Sequence, residues 1–232
     1  MRWATSVADE TFGQNDDPYR RPWPKGRQTL SSAQVREETQ MDAFLISTAV
    51  IFVAELGDKS QLMAMTFATR YRIRDVIIGI TIATAIVHLA SVAIGAAVGT
   101  AFSDYQPVIS VVAGVAFLGF ALWTLRGDEL TDDEADKARR STGAALLAVG
   151  TAFFLAELGD KTMLATITLA TQESWFGVWV GSTVGMVAAD ALAIGLGAVL
   201  GRKLPEKVIK YGAAAAFAIF GALLVAQGAG WL

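Results

Sequence analysis

The stretch AELGDKS at residues 54–60 returns as AELGDKT at 156–162, each time inside a long apolar run. Two acids and a lysine within seven residues are very unfavourable in such a run: a charge at the centre of a membrane helix costs at least about 2.5 to 3.5 kcal/mol. A chain that meets this cost twice, with the same residues in the same order, is constrained to a fold in which two such segments solve one problem. The surrounding composition sets the environment. Of the 232 residues, 53% are hydrophobic and only 18% charged, the balance of a membrane-embedded protein. The net charge of −3 gives no basis for a nucleic-acid partner, and the absence of cysteine removes disulfides and thiolate metal sites.

A bilayer core of about 30 Å needs about 20 apolar residues as helix. Six segments meet that need, near 42–69, 76–99, 107–125, 143–171, 177–200 and 207–229. The first and fourth are long enough to require tilt or a break, and the glycine inside each motif is the natural place for it. Residues 1–40 are polar and are expected to be a disordered extension, either an exported tail or an over-extended start ahead of Met41. The rest divides into a first unit of three spans, 41–126, a linker, 127–142, and a second unit of three spans, 143–232.

The two units are copies. An offset of 102 places Glu55 on Glu157, Asp58 on Asp160, Lys59 on Lys161, Gly79 on Gly181, Gly95 on Gly197 and His88 on Asp190. Three spans is an odd number, so the copies must enter the membrane from opposite sides. The basic loops agree: Arg70, Arg72 and Arg74, then Arg126, Lys137, Arg139 and Arg140, then Arg202, Lys203, Lys207 and Lys210 fall on one side, while 100–106 and 172–176 contain no Lys or Arg. The positive-inside rule makes the basic side cytoplasmic. Arg2, Arg20, Arg21, Lys25, Arg27 and Arg36 of the extension run against that assignment. The fold class expected is therefore an all-α membrane protein of six transmembrane helices in two inverted three-helix repeats, an architecture of secondary transporters with a site at the midplane.

Glu55 and Asp58 share a helical face at i, i+3, and Glu157 and Asp160 repeat the pattern. Lys59 and Lys161 balance part of this charge, in the plainest reading each neutralising its neighbouring aspartate. Glu55 and Glu157 still lack a fixed cation, which points to a mobile one. Carboxylate, hydroxyl and amide oxygens with almost no histidine suit hard ions such as Ca²⁺, Mn²⁺ and Mg²⁺, and disfavour Cu⁺ or a structural zinc. Ser60, Thr162 and Gln61 could add oxygens, although Ser and Thr in membrane helices commonly bond their own backbone. Asp190 and His88, near the middle of spans 5 and 2, are candidates for an ion or proton role, with hydrogen-bonded packing the alternative for His88. Phe117, Phe120, Phe217 and Phe220 read as helix-packing surface; Trp123, Trp175, Trp179 and Trp231 read as an aromatic belt.

The duplicated pattern E-x-G-D-[KR]-[ST], here Glu55 to Ser60 and Glu157 to Thr162, resembles the small cation antiporters that include bacterial manganese exporters and the Golgi calcium/manganese-proton exchangers of eukaryotes. The resemblance covers residues 41–232 and implies export of Mn²⁺ or Ca²⁺ from the cytosol in exchange for protons, with the signature acids as metal ligands and no cofactor. It also implies a multi-pass protein of a bacterial-type plasma membrane. The rival within transport is an exporter of small organic cations such as basic amino acids. A membrane scaffold would leave the duplicated acids unexplained, and no nucleophile accompanies them to suggest an enzyme. Nothing in the sequence sets an oligomeric state.

Overall fold

The computed structural model describes residues 32–126, 144–200 and 206–232. Helix α1 (Ser32–Glu55) and helix α2 (Lys59–Ala68) are followed by α3 (Ile73–Ala101), a 3-10 turn (Ser103–Tyr105) and α4 (Gln106–Arg126). The second half runs α5 (Ala145–Glu157), α6 (Lys161–Ala170), α7 (Trp175–Leu200) and α8 (Glu206–Gly228). The linker expected at 127–142 and the first 31 residues lie outside the described residues. Residues 32–40, expected as part of the disordered extension, are helical as the start of α1.

Both long segments break where the glycine stands. Gly57 and Gly159 have φ of 78° and 79°, a left-handed conformation that costs glycine nothing and other residues about 1 to 2 kcal/mol. Among the described residues, four helical stretches are long and apolar enough to cross a membrane, within α3, the 3-10 turn with α4, α7 and α8. Residues 36–55 of α1 and α2 form a fifth as one bent pair, turned by 78° at the break. The fourth expected span, 143–171, is split by its own motif into α5 and α6, and α5 is a shorter apolar helix of 13 residues.

The principal pairings join one half to the other. Helix α1 lies on α7 and α5 lies on α3; α2 meets α7 and α6 meets α3; α3 crosses α7, and α4 lies along α8. In a lipid environment apolar burial between helices supplies little drive, and close backbone approach by small residues takes its place. Helix α7 offers Gly177, Gly181 and Gly185 at intervals of four to the carbonyls of Gln40, Phe44 and Thr48 on α1. A Cβ at Gly177 or Gly185 would fall 2.5 or 2.6 Å from those oxygens. Thr48 fixes the register by donating its hydroxyl to the Gly181 carbonyl at 3.1 Å. The copied glycines serve matching contacts: Gly95 faces Ile167 on α6, and Gly197 faces Met65 on α2, itself the residue equivalent to Ile167.

The phenylalanines pack between α4 and α8 as expected, with the Phe117 ring 4.8 Å from Phe220 and 5.9 Å from Phe217. Trp179 departs from the aromatic-belt expectation. It is partly buried in the core, and its Nε1–H donates to the Ala85 carbonyl of α3 at 2.9 Å. Its indole satisfies its one donor inside the bundle rather than at the lipid headgroups.

Candidate functional site

Each break leaves backbone groups that no helix satisfies, and a membrane interior offers no water to replace the lost bonds. The turn closes through Asp58 N–H to Glu55 O at 3.1 Å and Asp160 N–H to Glu157 O at 3.3 Å. The Gly57 amide donates to Gln61 Oε1 at 2.8 Å, while the Gly159 amide meets Met163 Sδ at 3.2 Å. Asp58 caps α2, accepting the Lys59 amide at 2.7 Å. Gln61 uses its other end as well, donating Nε2–H to the Ala189 carbonyl of α7 at 3.0 Å. Gln61 is thus a brace between the first break and α7, with both ends of its amide engaged.

Ser60 and Thr162 do not bond back along their own helices. Ser47, Thr66, Ser91 and Thr166 donate to the carbonyl four residues earlier, as membrane serines and threonines commonly do. The Ser60 hydroxyl instead donates to Glu55 Oε1, and Thr162 donates to Glu157 Oε2 at 2.9 Å. The two glutamates are therefore oriented by the hydroxyl five residues on in the same motif. Both are buried, and Glu55 Oε2 has no hydrogen-bond partner among the described residues.

The lysines reach across the molecule. Lys161 Nζ lies 2.9 Å from Asp58 Oδ2, and Lys59 Nζ lies 4.0 Å from Asp160 Oδ1. The sequence paired each lysine with the aspartate beside it, but adjacent residues at a helix start point in different directions, and these pairs join opposite halves. They are unequal: the Lys161–Asp58 side chains are 5% and 1% exposed, while Lys59 is 17% exposed. Glu55 lies within electrostatic range of Glu157, Asp58, Asp190 and Asp160. The fold thus draws both motifs and Asp190 into one neighbourhood, five carboxylates against two ammonium groups.

No three carboxylate or imidazole groups among the described residues stand gathered as a preformed metal site. His88 is fully buried, and neither of its ring nitrogens has a hydrogen-bond partner among the described residues; both carboxylate oxygens of Asp190 share that condition. A cavity of about 520 Å³ opens among α3, α4 and α6, lined by Val98, Phe102, Tyr105, Ile109 and Ile167 among others. It presents no charged group to a cation. Sequence reading found the acids; it missed the bracing role of Gln61, whose signal was present in the exchange of Gln61 for Met163 between otherwise matching motifs.

The described residues form an all-helical fold with several spans long and apolar enough to cross a membrane, in which two broken helices bring buried acids together, an arrangement suited to a membrane protein that handles cations. The chain belongs to the GDT1 family of divalent cation/proton antiporters, whose family model matches residues 43–132 and 145–231. It is 36% identical over 180 residues to the "Putative manganese exporter" of Vibrio cholerae serotype O1, covering 75% of this chain and 85% of that protein. It is 30% identical over 193 residues to "GDT1-like protein 2, chloroplastic" of Oryza sativa subsp. japonica, covering 72% of this chain and 56% of that protein. It is 29% identical over 184 residues to "GDT1-like protein sll0615" of Synechocystis, covering 73% of this chain and 89% of that protein. The chain thus spans only a little over half of the chloroplast relative. No solved structure matches it. Membership in a divalent-cation family sets aside the organic-cation alternative.

Proposed function

We propose that the chain exports Mn²⁺ or Ca²⁺ from the cytosol in exchange for protons, across a plasma membrane of the bacterial inner-membrane type. Glu55, Asp58, Glu157 and Asp160 supply the ion ligands at the interface of two inverted three-span repeats. The observation that carries this reading is the crossed pair of ion bridges, because Lys161–Asp58 and Lys59–Asp160 bring the two copies of the family signature to one place. The loop charges support the orientation, and the Vibrio relative's name supports manganese as the cargo.

On this reading Ser60 and Thr162 hold the glutamates in the orientation the ion requires. A divalent cation arriving from the cytosol competes with the lysine ammonium groups for Asp58 and Asp160. Each lysine belongs to one repeat and its aspartate to the other, so a rocking of the repeats that opens the site to the other side alters both bridges together. When the ion leaves, protons restore the charge balance of the acids, and the acids alternate between metal-bound and protonated forms. The test is metal uptake into inside-out vesicles containing a pH dye. Metal entry should drive protons outward, and acidifying the loading side should weaken uptake by competition. Metal flux that leaves the internal pH unchanged and ignores an imposed proton gradient would overturn the exchange.

A further inference from the structure

His88 on α3 and Asp190 on α7 occupy equivalent positions in the two repeats, and both are fully buried. Four polar atoms, the two ring nitrogens and the two carboxylate oxygens, have no hydrogen-bond partner among the described residues. Burying a polar atom bare is strongly unfavourable, and the same lack at two related places asks for a common ligand.

Their position is defined by the crossing of α3 and α7. There Thr84 Oγ1–H meets Met186 Sδ at 3.3 Å, and Thr84 and Met186 are themselves equivalent at the offset of 102. His88 and Asp190 each lie four residues further along their own helix, about 6 Å from that crossing. Asp190 is within electrostatic range of Glu55, Asp58 and Glu157, and Gln61 ties the first motif to the residue beside it, Ala189. By the offset of 102, His88 stands to the second motif in the sequence repeat as Asp190 stands to the first.

The two halves therefore differ in chemistry. The first offers Glu55, Asp58 and Asp190, all oxygen. The second, by the repeat relation, would add the imidazole of His88 to Glu157 and Asp160. Ca²⁺ takes oxygen ligands, whereas Mn²⁺, although it too favours oxygen, belongs to the first-row series of ions that also binds mixed nitrogen and oxygen sites. Resting on the ion site proposed above, we infer that His88 and Asp190 complete that site as further ligands, and that His88 is the group that favours Mn²⁺ over Ca²⁺.

The test compares purified native protein with His88→Asp, the milder His88→Gln, and the reciprocal Asp190→His. Mn²⁺ binding is followed by the electron paramagnetic resonance signal of free Mn²⁺, with Ca²⁺ as competitor, so the reading does not depend on transport surviving. Ca²⁺ should displace Mn²⁺ from His88→Asp at roughly tenfold lower concentration than from native protein, the lower end of what altering a metal's surroundings costs in affinity. His88→Gln should shift the same way, and Asp190→His the opposite way. Equal displacement curves for native protein and both His88 variants would overturn the selectivity role. Glu55→Gln separates the two claims: if it binds Mn²⁺ normally the ion site itself fails, and if it loses Mn²⁺ while the His88 curves stay equal, the selectivity role alone fails.

Discussion

Lys161 of the second repeat holds Asp58 of the first, with Nζ 2.9 Å from Oδ2 and both side chains shielded from solvent. Removing one partner of such a pair leaves a buried charge uncompensated, at about 3 to 5 kcal/mol. Lys161→Met should lower thermal stability in detergent by that order, and Asp58→Asn added to it should recover most of the loss. Transport should stay absent in the double variant, because Asp58 is also a proposed ion ligand. A double variant no more stable than Lys161→Met alone would show that the pair does not join the repeats energetically.

Glu55 and Glu157 are each bonded by a hydroxyl of their own motif. Glu55→Gln and Glu157→Gln keep the size and a hydrogen-bonding amide but lose the charge. Each should abolish divalent-cation export from cells while the protein still reaches the membrane. Near-normal metal efflux by both single variants would refute a site shared between the motifs.

The chain has no cysteine, so single cysteines report topology directly. Labelling at Asp75 and Asp136 should occur only from the cytoplasm, and at Asp104 and Glu173 only from outside. Labelling of the Asp75 and Asp104 positions from one and the same side would contradict the inverted repeat.

Glu173 lies in the turn between α6 and α7, where burial first, and the nearby charge of Asp42 second, raise its carboxyl above the ordinary 4.5. The neutral form is favoured in the folded chain, so its contribution to stability is fully present below the ordinary carboxylate range. That contribution is lost as the pH rises through the raised value. Glu173→Gln is neutral throughout and should raise the melting temperature near neutral pH, with no effect near pH 4. An equal effect at both pH values would assign the change to packing instead.

Several features were legible in sequence for local reasons. Gly57 and Gly159 each stand between a glutamate and an aspartate in runs too long for one straight span, and only glycine turns there without strain. The duplication of Gly95 at Gly197 was visible as a constant offset, but that each packs against the opposite half is a fact of the fold. Trp179 shows the limit: its place near a span end suggested the lipid interface, and only the approach of Ala85 on α3 gave its indole a partner inside.

What the sequence by itself determined is the presence of two copied units, the acids they bring, and the glycine breaks, the first two read from a duplication at constant offset and the last from residues adjacent in the chain. The direction of Ser60 and Thr162 needed the breaks to be seen in place. Each stands second in its helix, so the carbonyl four residues back, Leu56 or Leu158, belongs to the interruption and the hydroxyl turns to the glutamate. The partner of each lysine was decided by tertiary structure alone. Asp58 and Lys161 are about a hundred residues apart, and nothing in local spacing distinguishes that aspartate from the one adjacent to the lysine. The choice is made where α2 and α6 begin, because packing of α1 on α7 and of α5 on α3 brings the two helix starts face to face.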